Sequence, residues 1–336
     1  MSPAAPTPKS KPAIPRPSSS VILVSPRNEV LLLHRVKTST SFASAHVFPG
    51  GNLSAQDGPC PPAEDLKRHD DGRWYRNAAI RELFEESGIL LAKDKISGRM
   101  LALPEEQREQ GRRAIHQNQI TFAEWLEQQN ANAAPDTEHL IPFTRWITPA
   151  NNTRRYTTQM YLYFLPLPAD ATDPVLGEIP PEGQREEIQV PTSDGGVEVT
   201  EARFLPASGW LRMAQSGEVM LFPPQFLLLH LVAGFLDKDP GVVNSLHELQ
   251  RRRDELTEFV ATGQPPWSEK CISPKMLKMS SDGRAVLALD QPGPELRGTD
   301  RQGEPDRVVL VKFERGSARD LEVRWKKDAF EEKSSL

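Results

Sequence analysis

The chain has 336 residues, with 41 lysines and arginines against 46 aspartates and glutamates, and a formal net charge of −5. This length suggests about two domains, and the mild acidity argues against bulk binding of nucleic acid or of an anionic membrane. Two cysteines make no disulfide framework, and the longest apolar run, residues 226–236, is too short to span a bilayer. We expect a folded protein of a reducing compartment, with no membrane span and no nucleic-acid partner; its oligomeric state stays open.

Proline is concentrated at the start of the chain, where six of the 31 prolines fall in the first 17 residues. This stretch has basic residues, no acidic ones and little apolar surface. Because it cannot bury enough surface to offset its ordering entropy, we predict that residues 1–19 form a disordered tail. A transit peptide is the alternative.

The next elements come in a clear order along the chain. Apolar runs at residues 21–24 and 30–33 flank a turn cluster and predict a β-hairpin. Gly50 and Gly51 follow, and a loop rich in Pro, Asp and Gly runs over residues 54–72. A helix is then predicted over residues 74–87, with Gly88 as its C-terminal cap.

The rest of the chain alternates helical and strand-like patterns before it turns β-rich. Helices are predicted at 105–117, 122–129, 208–216, 224–237 and 242–259, and strands at 143–147, 156–165 and 199–205. Residues 167–197 have a loop composition. Three β-like runs lie at 285–289, 308–313 and 321–325. We therefore divide the chain into a main domain at 20–260 and a β-rich C-terminal extension at 261–336.

The helix over 74–87 carries an acidic cluster. Glu82, Glu85 and Glu86 share one face at i, i+3 and i+4, where like charges cost roughly 0.2–0.5 kcal/mol per pair. A solvated acidic face is the ordinary explanation. Against it, the glutamates interleave with apolar residues such as Leu83, and Arg81 lies four residues before Glu85. Clustered carboxylate oxygens suit a hard cation, Mg²⁺ or Mn²⁺, which is commonly completed by substrate phosphates.

Residues 81–89, Arg-Glu-Leu-Phe-Glu-Glu-Ser-Gly-Ile, resemble the core of the Nudix hydrolase signature. The upstream half departs from it, because Gly51 is followed after five residues by Asp57 rather than Glu, and 23 residues instead of 7 separate Asp57 from Arg81. An uninterrupted count would place Arg73 at the acidic position. A box interrupted in this way is similar to the peroxisomal coenzyme A diphosphatase branch, with further matches at 48–51, 146–149, 154–157, 200–202 and 217–225.

The resemblance implies an α+β fold, a Nudix-type α/β/α sandwich around a mixed sheet. It implies that Glu82, Glu85 and Glu86 bind Mg²⁺ or Mn²⁺ together with the carbonyl of Gly51, and that Arg81 orients the carboxylates. Glu82, Glu85 and Arg81 are the implied catalytic residues, and which carboxylate is the general base stays open. A later loop often adds one more glutamate, and the candidates are Glu182, Glu186, Glu187 and Glu198.

Arginines and aromatic residues are the candidates for substrate contacts. Arg154 and Arg155, with Gly50 and Gly51, are predicted to contact phosphates; the alternative is that one arginine of the pair is a surface charge. His46, Phe143 and Trp146 are either site residues or packing residues. The run 251–253, three consecutive arginines, is predicted to be solvated because neighbours on a helix do not share a face.

The predicted activity is metal-dependent hydrolysis of the diphosphate bond of coenzyme A or acyl-CoA, which gives adenosine 3′,5′-bisphosphate and 4′-phosphopantetheine. The alternatives are a diphosphatase for ADP-ribose or another nucleoside diphosphate derivative, and a non-catalytic Nudix scaffold that binds a nucleotide. The terminal residues 334–336, Ser-Ser-Leu, resemble a peroxisomal address without its middle charge. A peroxisomal location is therefore expected, with the cytoplasm or mitochondrion as alternatives.

Overall fold

A computed structural model describes residues 12–36, 44–167, 199–237, 245–314 and 316–331. The strands are β1 (Arg16–Val24), β2 (Val30–Arg35), β3 (His46–Val47), β4 (Gly50–Asn52), β5 (Ala92–Asp94), β6 (Ala133–Pro135), β7 (Ile141–Ile147), β8 (Tyr156–Phe164), β9 (Val199–Leu205), β10 (Cys271–Ile272), β11 (Lys275–Met279), β12 (Ala285–Leu289), β13 (Glu304–Glu314) and β14 (Ser317–Trp325). The helices are α1 (Arg73–Ser87), α2 (Glu105–His116), α3 (Phe122–Gln129), α4 (Ala207–Ser216), α5 (Pro223–Leu236), α6 (Leu246–Ala261) and α7 (Lys326–Glu331).

A mixed sheet forms the centre of the fold, in the order β10-β7-β8-β1-β2-β3, with β4 paired to β1 and β9 paired to β2. Strand β1 runs parallel to β8 and antiparallel to β2. Successive side chains of a strand point to opposite faces. Val21 and Leu23 accordingly join one core with α1, α2 and α3, and Ile22 and Val24 join the other core with α4, α5 and α6. The predicted α/β/α sandwich with a mixed sheet is confirmed.

The C-terminal segment adds an antiparallel sheet in the order β11-β12-β13-β14. Leu287 and Val309 on one face belong to the same core as α4 and α5. The other face, represented by Val286 and Val308, packs against Ala329 of α7. The predicted β-rich extension is therefore a sheet that packs on the helices of the main domain.

Most predicted elements lie within a few residues of the observed ones. The predicted start of the folded part of the chain, however, is corrected by the structure. Strand β1 begins at Arg16 rather than at Ser20, because residues from Arg16 onward pair in parallel with β8 from Tyr156 onward. The tail prediction therefore fails for residues 16–19, and residues 1–11 lie outside the described part. Among the described residues, no helix is long and apolar enough to cross a membrane.

Candidate active site

Helix α1 carries the three glutamates and is fixed at both ends. It begins at Arg73 after Gly72, and it ends at Gly88, whose left-handed φ of 73° lets its N–H donate to the Phe84 carbonyl. Leu83 and Phe84 are fully buried in the core beside β1 and β2. The intervening glutamates are thereby held at the edge of the sheet next to β4.

Arg81 lies at the centre of the site and is nearly buried. Its Nη1 donates to Glu82 Oε1 and to Glu85 Oε1, both at 2.9 Å. Its Nε and Nη2 donate to the two carboxylate oxygens of Asp57, both at 2.8 Å, and Nη2 also donates to the Asn52 carbonyl at 3.1 Å. One guanidinium therefore orients two of the three glutamates and joins them to the loop after β4.

Asp57 is the site residue that sequence reasoning did not assign. Its carboxylate accepts from Arg81 on one side and from the Ser54 N–H at 2.7 Å on the other, and it is buried. The extra residues of the interrupted box therefore lie between Asp57 and α1, and Asp57 still pairs with Arg81. The available signal was the spacing from Gly51, which already placed an acid in the sixth position.

Close contacts with backbone require Gly50, and Gly51 lies directly against the carboxylate of Glu82. Gly50 has a φ of 153°, and a Cβ there would lie 2.2 Å from the Ser19 carbonyl oxygen. A Cβ on Gly51 would lie 2.4 Å from Glu82 Oε2. The Gly50 N–H also donates to Glu86 Oε2 at 2.8 Å. The double glycine thus lets the backbone approach β1 and two of the glutamates directly.

The negative charge of the Glu82 carboxylate is not fully compensated by its neighbours. Burial raises the pKa of Glu82 to about 7; Arg81 opposes this shift and the neighbouring Glu85 adds to it. Glu86 is better compensated, because Arg35 Nη1 donates to its Oε1 at 3.0 Å. A further cation beside Glu82 would relieve the unfavourable charge of that carboxylate.

The candidate ligand atoms suit a hard divalent cation, but they do not converge on one point. All candidate ligands are oxygens, from three carboxylates and the Gly51 carbonyl, and Gly51 leaves a cradle against Glu82 that a side chain would fill. Within the described ranges, however, no three acidic, histidine or cysteine side chains converge on one point. Glu82 and Glu86 face the same cavity, whereas Glu85 does not line it.

A cavity of about 1750 Å³ opens in front of these residues. The main domain lines it with Glu82, Glu86, Gly50, Gly51 and the exposed Arg154, and the C-terminal segment lines it from β11, β12 and the loop after β12. Three more residues of the lining carry buried polar atoms that have no hydrogen-bond partner in the described part of the chain: Ser19 Oγ, Trp146 Nε1 and Gln225 Oε1. These atoms are candidates for binding a polar ligand.

The burial of Arg155 argues against the phosphate contact predicted for it. Its side chain has no exposed surface, and its Nη2 donates to Glu295 Oε2 at 2.9 Å while Nε donates to the Thr148 carbonyl at 3.0 Å. Arg155 therefore ties the start of β8 to the C-terminal segment. Of the predicted pair, only Arg154 is exposed on the cavity.

The remaining candidates divide between packing and the cavity. His46 is buried, stacks on His34 with ring centroids 4.6 Å apart, and is absent from the cavity lining. Phe143 packs edge-on against Trp267. Trp146 lies at the cavity. Glu182, Glu186, Glu187 and Glu198, and the terminal residues 334–336, lie outside the described residues.

Comparison with known proteins gives a consistent result. The model of the NUDT19 Nudix domain matches residues 64–179. The acyl-coenzyme A diphosphatase NUDT19 of Gallus gallus is 28% identical over 270 residues, which cover 66% of this chain and 64% of that protein. The putative nudix hydrolase 7 of Caenorhabditis elegans is 30% identical over 132 residues, which cover 39% of this chain and 38% of that protein. The chain thus spans less than two thirds of these relatives.

Among solved structures, a NUDIX hydrolase from Alicyclobacillus acidocaldarius superposes with a TM-score of 0.50 at 21% identity, covering 66% of this chain and 92% of that one. This likeness concerns the fold. Together with the motif on α1 and the matched domain model, it shows that the chain has a Nudix fold and resembles the coenzyme A diphosphatase branch of the Nudix superfamily.

Proposed function

We propose that the chain is a metal-dependent Nudix diphosphatase that hydrolyses the diphosphate bond of coenzyme A or acyl-CoA. Water attacks one phosphorus, the bridging P–O bond breaks, and the products are adenosine 3′,5′-bisphosphate and 4′-phosphopantetheine or its acyl thioester. The observation that carries the proposal is the Arg81 network, which joins Glu82 and Glu85 beside the cavity edge where Gly50 and Gly51 lie. The kinship with an acyl-coenzyme A diphosphatase supports the choice of substrate.

Each residue of the site has a distinct role in this reaction. The Gly50–Gly51 backbone lets a diphosphate approach Glu82 and Glu86, since no side chain intervenes. Arg81 keeps the carboxylates of Glu82 and Glu85 oriented. One carboxylate of α1 accepts the proton of the attacking water. Exposed Arg154 binds a phosphate across the cavity through its planar guanidinium.

A bound Mg²⁺ or Mn²⁺ would neutralise the diphosphate and lower the pKa of the attacking water. Glu82, Glu86 and, after a side-chain rotation, Glu85 would hold it, with the Gly51 carbonyl as a further oxygen. The buried, incompletely compensated charge of Glu82 supports this assignment over a purely structural role. A peroxisomal location stays a prediction.

A substrate panel tests the proposal. Purified protein is incubated with Mg²⁺ or Mn²⁺ and with coenzyme A, acetyl-CoA, ADP-ribose, NADH or capped RNA, and kcat/KM is compared. We expect the coenzyme A compounds to have the highest kcat/KM and EDTA to abolish turnover. A higher kcat/KM for ADP-ribose would move the assignment to the nucleoside diphosphate alternative, and no turnover of any compound would favour a binding scaffold.

A further inference from the structure

Both the main domain and the C-terminal segment line the cavity in front of the glutamates. The main domain contributes the carboxylates of Glu82 and Glu86 and the exposed Arg154, together with apolar residues such as Phe48 and Ile147. The C-terminal sheet contributes Lys275 of β11 and a group of apolar side chains, which are Met276 of β11, Ala285 and Leu287 of β12, and Phe313 of β13. Carboxylates and apolar side chains therefore line one continuous space.

These apolar residues share one face of the C-terminal sheet. Met276 is directly opposite Leu287 in the antiparallel pair of β11 and β12, and directly opposed residues project to the same face. Ala285 is two residues from Leu287 and lies opposite Val311, which is two residues from Phe313. The four side chains therefore lie on one face of the sheet and form a patch in the cavity lining.

The patch is exposed although it is apolar. Met276 is 60% exposed and Phe313 is 54% exposed, whereas Leu287 and Ala285 on the same face are each 7% exposed. A contiguous apolar patch on a concave surface usually marks a ligand-binding or interaction site. The cavity is also larger than the roughly 300–1000 Å³ of an ordinary small-molecule pocket, so a nucleotide diphosphate alone would leave part of it unfilled.

We propose that this patch, Met276, Ala285, Leu287 and Phe313, is a subsite for the apolar chain of a thioester-linked substrate, so that the C-terminal sheet sets chain-length preference. The inference rests on the proposed function, because the diphosphate end must lie at Glu82 for the other end to reach the patch. Glu82, Glu86 and Arg154 line the same cavity as the patch, so one cavity offers groups for the charged diphosphate and for an apolar tail.

The test measures KM for free coenzyme A, acetyl-CoA and octanoyl-CoA, each below its micelle concentration. In the wild type, KM should fall by about tenfold or more from coenzyme A to octanoyl-CoA, since each buried methylene adds to binding. The double variant Met276→Ser, Phe313→Ser should bring the ratio of the two KM values close to one. Both side chains are more than half exposed, so the variant should fold, and the two single variants should give intermediate ratios.

Phe330→Ser is the matched control. Phe330 is 46% exposed on α7, the helix that covers the opposite face of the same sheet, and it lies outside the cavity lining. This variant should keep the wild-type ratio of KM values. Dissociation constants measured by calorimetry in a Glu85→Gln background repeat the comparison without turnover.

The outcomes separate the two proposals. Hydrolysis of coenzyme A with a KM that is independent of chain length, or a chain-length dependence that survives in the double variant, would overturn the subsite and leave the proposed function intact. A wild-type dimer that the double variant dissociates, with no chain-length dependence, would assign the patch to a second copy and overturn the subsite. A protein that neither binds nor hydrolyses any coenzyme A compound would overturn both.

Discussion

At the scale of single residues, the site depends on Arg81 being held from both sides. Its bidentate pair with Asp57 is buried, and the same guanidinium reaches Glu82 and Glu85. Asp57 does not line the cavity and acts on the glutamates through Arg81, so we regard it as a positioning residue.

Asp57→Asn should loosen Arg81 and thereby the two carboxylates. We expect the Mg²⁺ concentration for half-maximal rate to rise by about tenfold, the scale usual for residues that orient metal ligands. Asp57→Glu, which keeps the charge, should recover most of this loss. Metal titrations of initial rate check both variants at a temperature where each is folded, and an unchanged Mg²⁺ requirement in Asp57→Asn would contradict the positioning role.

Two buried histidines make stability depend on pH. Burial lowers the pKa of both His46 and His69 to about 4; the neighbouring His34 adds to the shift of His46 and Arg145 to that of His69. Between pH 6.5 and 4 the unfolded chain protonates both histidines and the native chain does not, so these two groups make the free energy of unfolding rise with pH across this window; Glu82, whose pKa is raised, offsets only part of the rise.

Urea unfolding at about pH 4.5, 5.5 and 6.5 should therefore show increasing stability, and His69→Gln should give a shallower rise than the wild type. An equally steep rise in His69→Gln would show that His69 makes no contribution. The lowered pKa values of the two histidines could not be predicted from the sequence, because they follow from burial in the folded chain and not from local spacing.

At the scale of elements, periodicity predicted the helices well, as at α3, which is observed over the predicted residues 122–129 and is capped by Thr121 and Glu124. Periodicity did not predict β11, because this strand is mostly exposed and its residues do not alternate between buried and exposed positions. It also failed for the arginines of α6. Arg252 and Arg253 are buried rather than solvated, because carbonyl and amide oxygens of neighbouring segments accept their hydrogen bonds.

Arg253→Met tests the role of α6 in holding the β1–β2 turn. Arg253 donates to Ser25 O, Asn28 Oδ1 and Leu165 O, each at 2.8 Å. Removing these bonds should lower the free energy of unfolding by about 3 kcal/mol. Arg251→Met is the control: this half-exposed neighbour pairs with Glu248 and Glu255 at the surface, so its loss should cost less than about 1 kcal/mol. Equal losses in urea unfolding would contradict this account.

At the scale of the whole molecule, the C-terminal segment is joined to the main domain by packing and by the ion pair of the buried Arg155 with the partly buried Glu295. This arrangement was beyond sequence reasoning, because two adjacent arginines look alike in the sequence and only the fold separates the buried one from the exposed one. The Nudix motif, by contrast, could be recognised from the sequence because its contacts lie within one helix and the loop before it.

Arg154 and Arg155 can be separated experimentally. Arg155→Met should lower the free energy of unfolding by about 3 kcal/mol, since it leaves Glu295 without its buried partner. Arg154→Met should leave the melting temperature unchanged and raise KM for coenzyme A by about tenfold. A reversed pattern in thermal melts and kinetics would restore Arg155 as the phosphate contact.

The most direct measurement is the product analysis of coenzyme A hydrolysis by the wild type and by Glu85→Gln, with Glu127→Gln on α3 as an exposed control. Mass spectrometry should find adenosine 3′,5′-bisphosphate and 4′-phosphopantetheine in equal amounts from the wild type and from Glu127→Gln. Glu85→Gln should lose at least about 100-fold in rate with an unchanged or higher melting temperature, since a like-charge repulsion is relieved. Wild-type turnover in Glu85→Gln, or release of inorganic phosphate in place of the two products, would contradict the assignment of the α1 carboxylates to diphosphate hydrolysis.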